Sequence, residues 1–134
     1  MSKYIKEEQK EHRRMWVEAL RSGEYEQGKG VLCHKDEDDE NVKYCCLGVA
    51  CEISGLGEFV PRPNFPIAAL NFATGEEQSQ HVVLPYAVRD WLGLGDEEGS
   101  YHNGSVSLTR NNDAGVPFTS IANIIESEPE GLVA

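Results

Sequence analysis

The sequence predicts an α+β fold: one compact domain, spanning residues 1–134, with about four helices and two or three short antiparallel hairpins. Three observations support this prediction. Apolar residues recur at helical spacing in several segments, and shorter β-like runs lie on either side of polar turns. The length is that of a single domain, which buries roughly two-thirds of its unfolded surface and so needs no disulfides to hold its core.

The segment 44–53 holds three of the four cysteines and the densest apolar run, and we expect the chain to pack around it. Read as a helix from residue 46 to 53, it is apolar on almost every side, which is typical of a buried helix. Gly48 in its second turn indicates that another backbone comes close, since glycine is costly inside a helix. Gly55 is placed to end the helix.

Residues 2–22 predict a first helix, with Gly23 as its stop. Basic and acidic side chains alternate at helical spacing in the first half of this segment, so residues 1–15 are expected to form a polar helical extension with a solvated face. Two short β-like runs follow at residues 29–35 and 42–46. The acidic loop between them predicts a hairpin whose second strand leads into the central helix.

Residues 55–84 give the least regular pattern, because three prolines interrupt apolar residues that still require burial. We expect a long packed loop there, containing one hairpin with strands at residues 69–73 and 81–84. An insertion of this length between two helices is also a place where a ligand pocket can form.

The last third of the chain combines two helices with a hairpin. One helix is predicted to begin at Pro85, and the pair Asn103 and Gly104 favours a type I′ turn in the hairpin that follows. Residues 110–115 are expected to form a polar turn. A final helix opens at Pro117, and its apolar side chains recur at i, i+3, i+4 and i+7. These are Phe118, Ile121, Ala122 and Ile125.

The net charge of −11 opposes binding to a nucleic-acid backbone. Direct DNA readout would also need a recognition helix after the final helix, and only residues 128–134 remain for one. No run of 18 apolar residues occurs, and no apolar segment follows Met1, so we expect neither a membrane span nor a signal peptide. We therefore expect a cytoplasmic protein with reduced thiols.

The cysteines admit a catalytic and a metal-binding interpretation besides a structural one. Cys46 lies at the amino end of the central helix, where the helix dipole lowers a thiol pKa, and it is therefore the candidate nucleophile. A base would have to come from elsewhere, and the candidates are His34, His81 and His102. The candidate zinc ligands are Cys33, His34, Cys45 and Cys51.

The spacing of the cysteines favours the structural interpretation. Paired zinc ligands usually occur as C-x2-4-C, whereas Cys45 and Cys46 are adjacent, and Cys51 lies about 140° around the helix from Cys46. Free cysteine is among the most frequently buried residue types. We therefore expect buried thiols, no cofactor and no metal, with a cysteine-dependent enzyme and a small zinc-binding module as the alternatives.

A pocket that captures a nucleotide needs cationic, aromatic and amide side chains that converge. Seven residues in the second half of the chain and the insertion supply these groups. They are Arg62, Arg89, Trp91, Tyr101, Arg110, Asn111 and Asn112. These residues are the candidates for binding a small nucleotide-like signal.

Four segments, in the same order, resemble a family of small proteins carried by bacteriophages and some actinobacteria. They begin with W-x-x-A-L-R-S-G at Trp16, continue with C-C-L-G-V-x-C-E at Cys45 and with residues 84–94, and end with N-D-x-G-x-x-F-x-x-I-A-x-x-I-E at Asn112. The long insertion at residues 55–84 departs from the family pattern.

The resemblance implies the cytoplasm of an infected bacterium, where small accessory phage proteins often block host enzymes or defence systems. We therefore expect a non-catalytic inhibitor that binds a host protein or sequesters a small nucleotide signal. It is expected neither to read DNA directly nor to bind a membrane, and it is compatible with homo-oligomerisation.

Overall fold

The computed structural model describes residues 2–35, 41–61, 70–74 and 81–134. Five helices lie within these residues: α1 (Lys6–Arg21), α2 (Cys46–Ser54), α3 (Tyr86–Leu92), α4 (Leu108–Asp113) and α5 (Phe118–Ser127). The strands are β1 (Glu26–Gln27), β2 (Cys33–Lys35), β3 (Val42–Tyr44), β4 (Gly57–Pro61), β5 (Leu70–Thr74), β6 (Ser100–Tyr101) and β7 (Val106–Ser107). Helices and short strands mix along one compact domain, so the α+β prediction is confirmed. The acidic run at residues 36–40 and the candidate ligand residue Arg62 lie outside the described residues.

Helix α2 is the centre of the fold, and its residues 46–51 are buried. Gly48 is required there, because a Cβ at this position would lie 1.8 Å from the carbonyl oxygen of Leu32. The same carbonyl accepts a hydrogen bond of 3.1 Å from the Cys45 N–H, so the backbone before β2 lies directly on the first turn of α2. Gly55 ends the helix in the left-handed conformation, with φ 69°, as predicted.

Helix α1 begins at Lys6, and most side chains of its polar first half are exposed as expected, but Gln9 and Arg13 contact the end of α3. Gln9 Nε2 donates a hydrogen bond of 2.7 Å to the carbonyl of Asp90. Arg13 Nη1 donates one of the same length to the carbonyl of Leu92. Long polar side chains can therefore serve as packing groups here, because the carbonyls at the end of α3 lack the hydrogen bonds that a further helical turn would supply.

The first predicted hairpin is confirmed, since β2 and β3 pair antiparallel with Cys33 opposite Tyr44. Strand β1 pairs with the other edge of β3 in parallel, which gives the order β1-β3-β2. The sequence did not predict β1, because a strand of two residues leaves no periodic pattern.

The hairpin predicted within the insertion is wrong in its pairing. Strand β5 matches one predicted strand, but its partner is β4, which follows α2, and residues 81–84 form no strand. Gly57 permits this pairing, because a Cβ there would lie 2.3 Å from the carbonyl oxygen of Ala73. Across the pair, the rings of Phe59 and Phe72 pack with their centroids 5.0 Å apart.

The polar turn expected at residues 110–115 is also wrong, because most of it belongs to α4. The Ser107 Oγ accepts a hydrogen bond of 3.1 Å from the Arg110 N–H, which is an N-cap that starts a helix directly after β7. A cap that doubles as the last strand residue is hidden from a sequence pattern, since the period changes without an intervening turn.

The second hairpin, β6 with β7, is confirmed, but four residues rather than two connect its strands. Within this connection the Ser105 N–H donates to the His102 carbonyl at 3.2 Å around Asn103 and Gly104, which both have positive φ, so the predicted type I′ turn is confirmed at these residues. Three successive residues of the connection have positive φ, and they are His102 (53°), Asn103 (60°) and Gly104 (82°).

Helix α5 presents the predicted apolar face to the core, and the buried residues are Phe118, Ile121, Ala122 and Ile125. It runs antiparallel to α1. Arg21, at the end of α1, donates to Asn123 Oδ1 at 2.7 Å, whereas Arg13, in the middle of α1, pairs with Glu128 at 3.1 Å. Within the part of the chain that the structure describes, no helix is both long enough and apolar enough to cross a bilayer.

Candidate functional site

The candidate nucleophile, Cys46, is fully buried at the first turn of α2. Its thiol contacts the carbonyl oxygen of Leu108 at 3.6 Å, and burial raises its pKa well above the ordinary value for a thiol. The lowering expected from the helix end is wrong, because the desolvation of a thiolate outweighs the backbone hydrogen bonds that favour it. A buried and protonated thiol is a poor nucleophile, so this position argues against a cysteine-dependent enzyme that uses Cys46.

The candidate zinc ligands belong to the core, to the cap of α2 and to strand β2. Among the described residues, no group of three or more His, Cys, Asp or Glu side chains could hold a metal ion. Cys45 caps α2, its Sγ accepting a hydrogen bond from the Gly48 N–H at 3.4 Å. Burial raises the pKa of Cys45 to about 11 and that of Cys33 to about 12, which keeps both thiols protonated at neutral pH. Cys51 is fully buried in α2, and His34 lies in β2. The prediction of buried thiols is confirmed.

Two of the candidate ligand residues make contacts within the chain near the end of α3. Arg89 Nη2 donates a hydrogen bond of 2.7 Å to the carbonyl of Gly95, just beyond the helix. The Trp91 side chain is buried and stacks on the His12 ring, with 4.1 Å between the centroids. Both side chains therefore hold elements of the fold together.

Three more candidates link the β6–β7 hairpin to α4. Asn111 Nδ2 donates a hydrogen bond of 2.6 Å to the hydroxyl of Tyr101, whose side chain is buried. Arg110 is exposed, and its Nη1 lies 3.5 Å from the carbonyl of Ser105. The structure brings these residues together, but none of them lines the cavities between α1 and α5.

Asn112 is fully buried and joins three segments of the chain. Its Oδ1 accepts hydrogen bonds from the Cys46 N–H at 3.1 Å and from Gln27 Nε2 at 3.0 Å. Its Nδ2 donates to the carbonyl of Gly28 at 2.8 Å. We call these four residues the Asn112 node. Because both ends of the amide are satisfied within the chain, Asn112 is a structural residue rather than a ligand-binding one.

A concave surface lies between α1 and α5. One cavity, of about 320 Å³, is bounded by α1 and by the last turn of α5. A second cavity, of about 230 Å³, continues along α1 towards residues 133–134. Four residues line both cavities, which therefore form one continuous groove, called here the α1/α5 groove. The shared residues are Glu7, Lys10, Arg13 and Glu128.

One flank of α1 forms a wall of this groove. Its side chains recur at i, i+4, i+7 and i+11, the spacing of a single helix face, and they are Lys6, Lys10, Arg13 and Val17. The last turn of α5 and its cap supply the opposite wall, with Ile125, Glu126 and Glu128. Val17 and Ile125 are almost fully buried, so the accessible lining comes mainly from long charged side chains, whose aliphatic parts make most of its surface apolar.

The three arginines of α1 have carboxylate partners in the chain. Arg14 pairs with both Glu11 and Glu18, and Arg21 pairs with Glu126 at 3.0 Å. The hydrogen bond from Arg14 lowers the pKa of Glu11, and that from Arg21 lowers the pKa of Glu126, so both carboxylates stay ionised. The larger cavity is lined by three cations and four carboxylates, and the smaller cavity adds Lys6, so the whole groove carries four charges of each sign.

Arg13 and Glu128 meet where the two cavities join. Arg13 is only 7% exposed, and its Nη2 donates to Glu128 Oε1 at 3.1 Å. The Nε of Arg13 is buried without a hydrogen-bond partner. Glu128 has φ 47°, a left-handed conformation that residues other than glycine rarely adopt, and its side chain is 42% exposed. An unsatisfied donor and a strained residue at one place are features that concentrate at functional sites.

Sequence reasoning missed this groove, because it assigned the charged residues of α1 to a solvated face. Two signals could have identified it. The cations Lys6, Lys10 and Arg13 share one face of the helix, and Glu128 stands immediately after α5, where glycine or asparagine is usual.

Comparisons with other proteins identify the family of the chain and no individual relative. No curated protein and no solved structure matches it. A family model, described as Domain of unknown function (DUF8296), matches residues 5–129. That range runs from the start of α1 to just beyond α5 and includes both the Asn112 node and most of the α1/α5 groove. The chain belongs to the DUF8296 family.

Proposed function

We propose that this protein is a non-catalytic, phage-encoded accessory protein that inhibits a component of a host defence system by binding it as a protein partner. The proposed setting is the cytoplasm of an infected bacterium. The resemblance to small phage proteins supports this setting. The charge balance of the α1/α5 groove is the observation on which the mode of action depends.

A nucleotide signal carries phosphate charges, and its capture needs cations that are not already neutralised. Arg13 and Arg14 both have carboxylate partners, and the groove contains as many carboxylates as cations, so it has no excess of positive charge. A protein surface, by contrast, offers donors, acceptors and charges of both signs, as a typical interface does. The groove therefore favours the protein-binding form of the hypothesis over nucleotide sequestration.

The thiols support binding rather than covalent catalysis. A catalytic cysteine is usually an exposed thiolate in an electropositive environment. Cys46 and Cys51 are fully buried, and burial raises the pKa of both well above the ordinary thiol value. The proposed activity consequently requires no turnover of a substrate.

Phage plating tests the proposal directly. The protein is expressed in a panel of bacterial strains, each carrying one defence system, and each strain is challenged with a phage that its system restricts. We expect plating efficiency to recover in at least one strain. No recovery in any strain, with folded protein present in each, would contradict the proposed function.

A charge exchange separates groove-dependent inhibition from other modes. The double variant Glu7→Lys with Lys10→Glu reverses two groove charges at unchanged net charge, and we expect it to lose the recovery. Met15→Glu changes an exposed position of α1 that does not line the groove, and it serves as the control that keeps activity.

Two experiments test the remaining alternatives, nucleotide sequestration and catalysis. The first is heat denaturation of protein purified from cells with an activated defence. A stoichiometric nucleotide released on heating would support sequestration and contradict protein binding. Substrate turnover that disappears in a folded Cys46→Ala variant would overturn the non-catalytic assignment.

A further inference from the structure

A row of four aromatic rings runs from the core to the surface on the side of the molecule that carries the strands. Phe72 of β5 is fully buried, and its ring packs on Phe59 of β4 with 5.0 Å between the centroids. Phe59 contacts Tyr44 at 5.9 Å, and Tyr44 contacts Tyr25 at 5.4 Å with the ring planes almost perpendicular, at 86°. Phe59, Tyr44 and Tyr25 are half-buried. The buried end therefore fixes the row, while the three outer rings keep part of their surface accessible.

The backbone holds the middle ring of the row in place. Tyr44 pairs with Gln27 of β1 on one side and with Cys33 of β2 on the other, and its carbonyl accepts a hydrogen bond of 2.7 Å from the Gly28 N–H. Side chains alternate along a strand, so Lys43 points to the opposite face from Tyr44. The tyrosine rings are thus ordered before any ligand arrives, and the adjacent lysine points away from them.

Glu52 of α2 places a negative charge beside the outer rings. Burial and the charge of Glu52 raise the pKa of the Tyr44 hydroxyl to about 12, and the same two causes raise the pKa of the Tyr25 hydroxyl. Glu24 makes a smaller contribution at Tyr25. Electrostatic interactions fall with distance, so a carboxylate that acts on both hydroxyls lies near both.

The polar groups around these rings have no partners in the part of the chain that the structure describes. There, the Glu52 carboxylate forms no salt bridge, and the hydroxyls of Tyr25 and Tyr44 form no hydrogen bond. Glu52 is exposed, and neither hydroxyl is cut off from solvent. We call Tyr25, Tyr44, Glu52 and Phe59 the aromatic–acidic cluster. It shares no residue with the α1/α5 groove.

We infer that the aromatic–acidic cluster binds an arginine side chain of the partner protein. The inference rests on the proposed function, which makes the partner a protein, and it adds the type of residue that is recognised on a second surface. A cation is attracted to the faces of aromatic rings and to a carboxylate that no other cation neutralises. The exposed Glu52 beside half-buried rings offers both attractions at one place.

The hydrogen-bonding groups favour arginine over other cations. A guanidinium has five N–H donors, which can be shared between the Glu52 carboxylate and the two tyrosine hydroxyl oxygens. It is also planar and weakly hydrated, so it stacks on aromatic rings, whereas the ammonium group of lysine is compact and strongly hydrated. A trimethylammonium group has no N–H donor and would leave these acceptors without partners. Arginine therefore matches the rings, the charge and the acceptors together.

The probes for the test are three blocked tripeptides that carry arginine, lysine or citrulline between two glycines. Citrulline keeps the planar end of arginine but has no charge. Each peptide is titrated into the isotope-labelled full chain, and aromatic and backbone shifts are recorded. We expect the arginine peptide to shift the ring resonances of Tyr25, Tyr44 and Phe59. It should bind about tenfold more tightly than the citrulline peptide and about threefold more tightly than the lysine peptide.

Matched variants assign the contact. Glu52→Gln keeps the size of the side chain and removes its charge, and we expect it to weaken binding of the arginine peptide about fivefold. Glu58→Gln removes the same charge from an exposed position of β4 that points away from the Phe59 ring, so binding should be unchanged. Tyr25→Leu removes the outermost ring and should also weaken binding about fivefold. Thermal melts show that each variant is folded.

Three results would overturn the inference: equal binding of the arginine and citrulline peptides, shifts confined to residues outside the cluster, or an unaltered affinity in Glu52→Gln. Equal binding of the lysine peptide would reject arginine as the recognised residue. The plating assay is independent of these results. Recovery by the wild-type protein without binding of the arginine peptide would keep the proposed function and reject this mode of recognition. Peptide binding without recovery in any strain would do the reverse.

Discussion

The Asn112 node and the α1/α5 groove use polar groups in opposite ways. In the node, both ends of the Asn112 amide have partners, and the side chain is completely buried. In the groove, a buried guanidinium keeps one unsatisfied donor, and a half-exposed carboxylate is held in a strained conformation. The polar groups of the node are satisfied within the chain, whereas the groove contains one buried unpaired donor and one half-exposed carboxylate.

This difference shows that chemically conspicuous residues need not be functional ones. Cys46 and Asn112 attract attention in the sequence, yet they contact each other at the start of α2 and stabilise the fold. Lys10 and Glu128 belong to ordinary charged segments, yet they line the concave surface. Substitutions in the node should therefore change stability, and substitutions in the groove should change binding.

The largest effect is expected from Gly48→Ala, beside the node. The added Cβ would lie 1.8 Å from the Leu32 carbonyl oxygen, so α2 and the strand segment must separate. We expect a loss of about 4 kcal/mol or more in the free energy of unfolding, measured by urea denaturation. Gly23→Ala is the control, since a Cβ there meets no atom within 4 Å and only its positive φ opposes the change. Equal effects at both positions would mean that the close contact at Gly48 can relax.

Ile121→Ala should follow in size. This side chain is fully buried on the core face of α5, and truncation of such residues costs about 2–5 kcal/mol. Denaturant midpoints measure the loss. An unchanged midpoint would indicate that α5 contributes to a partner surface on both faces, which would contradict the separation between core and groove.

Asn112→Ala should cost about 2–4 kcal/mol, because it leaves the Cys46 N–H and the Gly28 carbonyl buried without this partner. Asn111→Ala is the matched control at the next position, where a single hydrogen bond to Tyr101 is lost. We expect the Asn111 variant to lose no more than about 1.5 kcal/mol. Similar losses for the two variants would contradict the special position of the node.

The sequence was sufficient to predict the regular part of the fold and the burial of the thiols. The α5 stripe and the apolar run of α2 each carry many periodic residues, so their patterns withstand single exceptions. The pairing of β4 with β5 was missed because it depends on the contact of Gly57 with a backbone 16 residues away. The groove was missed for a related reason, since the charges of α1 acquire a binding geometry only when Glu128 is placed beside Arg13.

High pH should lower the free energy of unfolding, because the buried thiols of the folded protein resist deprotonation. Folding raises the pKa of Cys45 from an ordinary 9.0 to about 11 and that of Cys33 to about 12. A raised folded pKa means that the folded state holds the proton more tightly. The stabilisation is therefore complete below pH 9 and is lost as the pH rises from about 9 towards 11 and 12.

Urea midpoints at pH 8, 9 and 10 measure this loss, which amounts to at most about 1.4 kcal/mol per pH unit for each thiol. Cys33→Ala should reduce the slope by the share of one thiol. A flat profile in the wild-type protein would show that the thiols reach solvent, and it would reopen the question of their reactivity.

Glu128→Gly should have the smallest effect on stability and the clearest effect on binding. Glycine adopts φ 47° without strain, which favours the variant by about 1 kcal/mol, while loss of the carboxylate removes the partner of Arg13 Nη2. These terms oppose each other, so the free energy of unfolding should change by no more than about 1 kcal/mol. Glu128→Gln keeps the strained backbone and should be slightly less stable than Glu128→Gly. A Glu128→Gly loss of about 3 kcal/mol or more, which is typical of a buried charge left unpaired, would place this ion pair in the core and remove the contrast between groove and node.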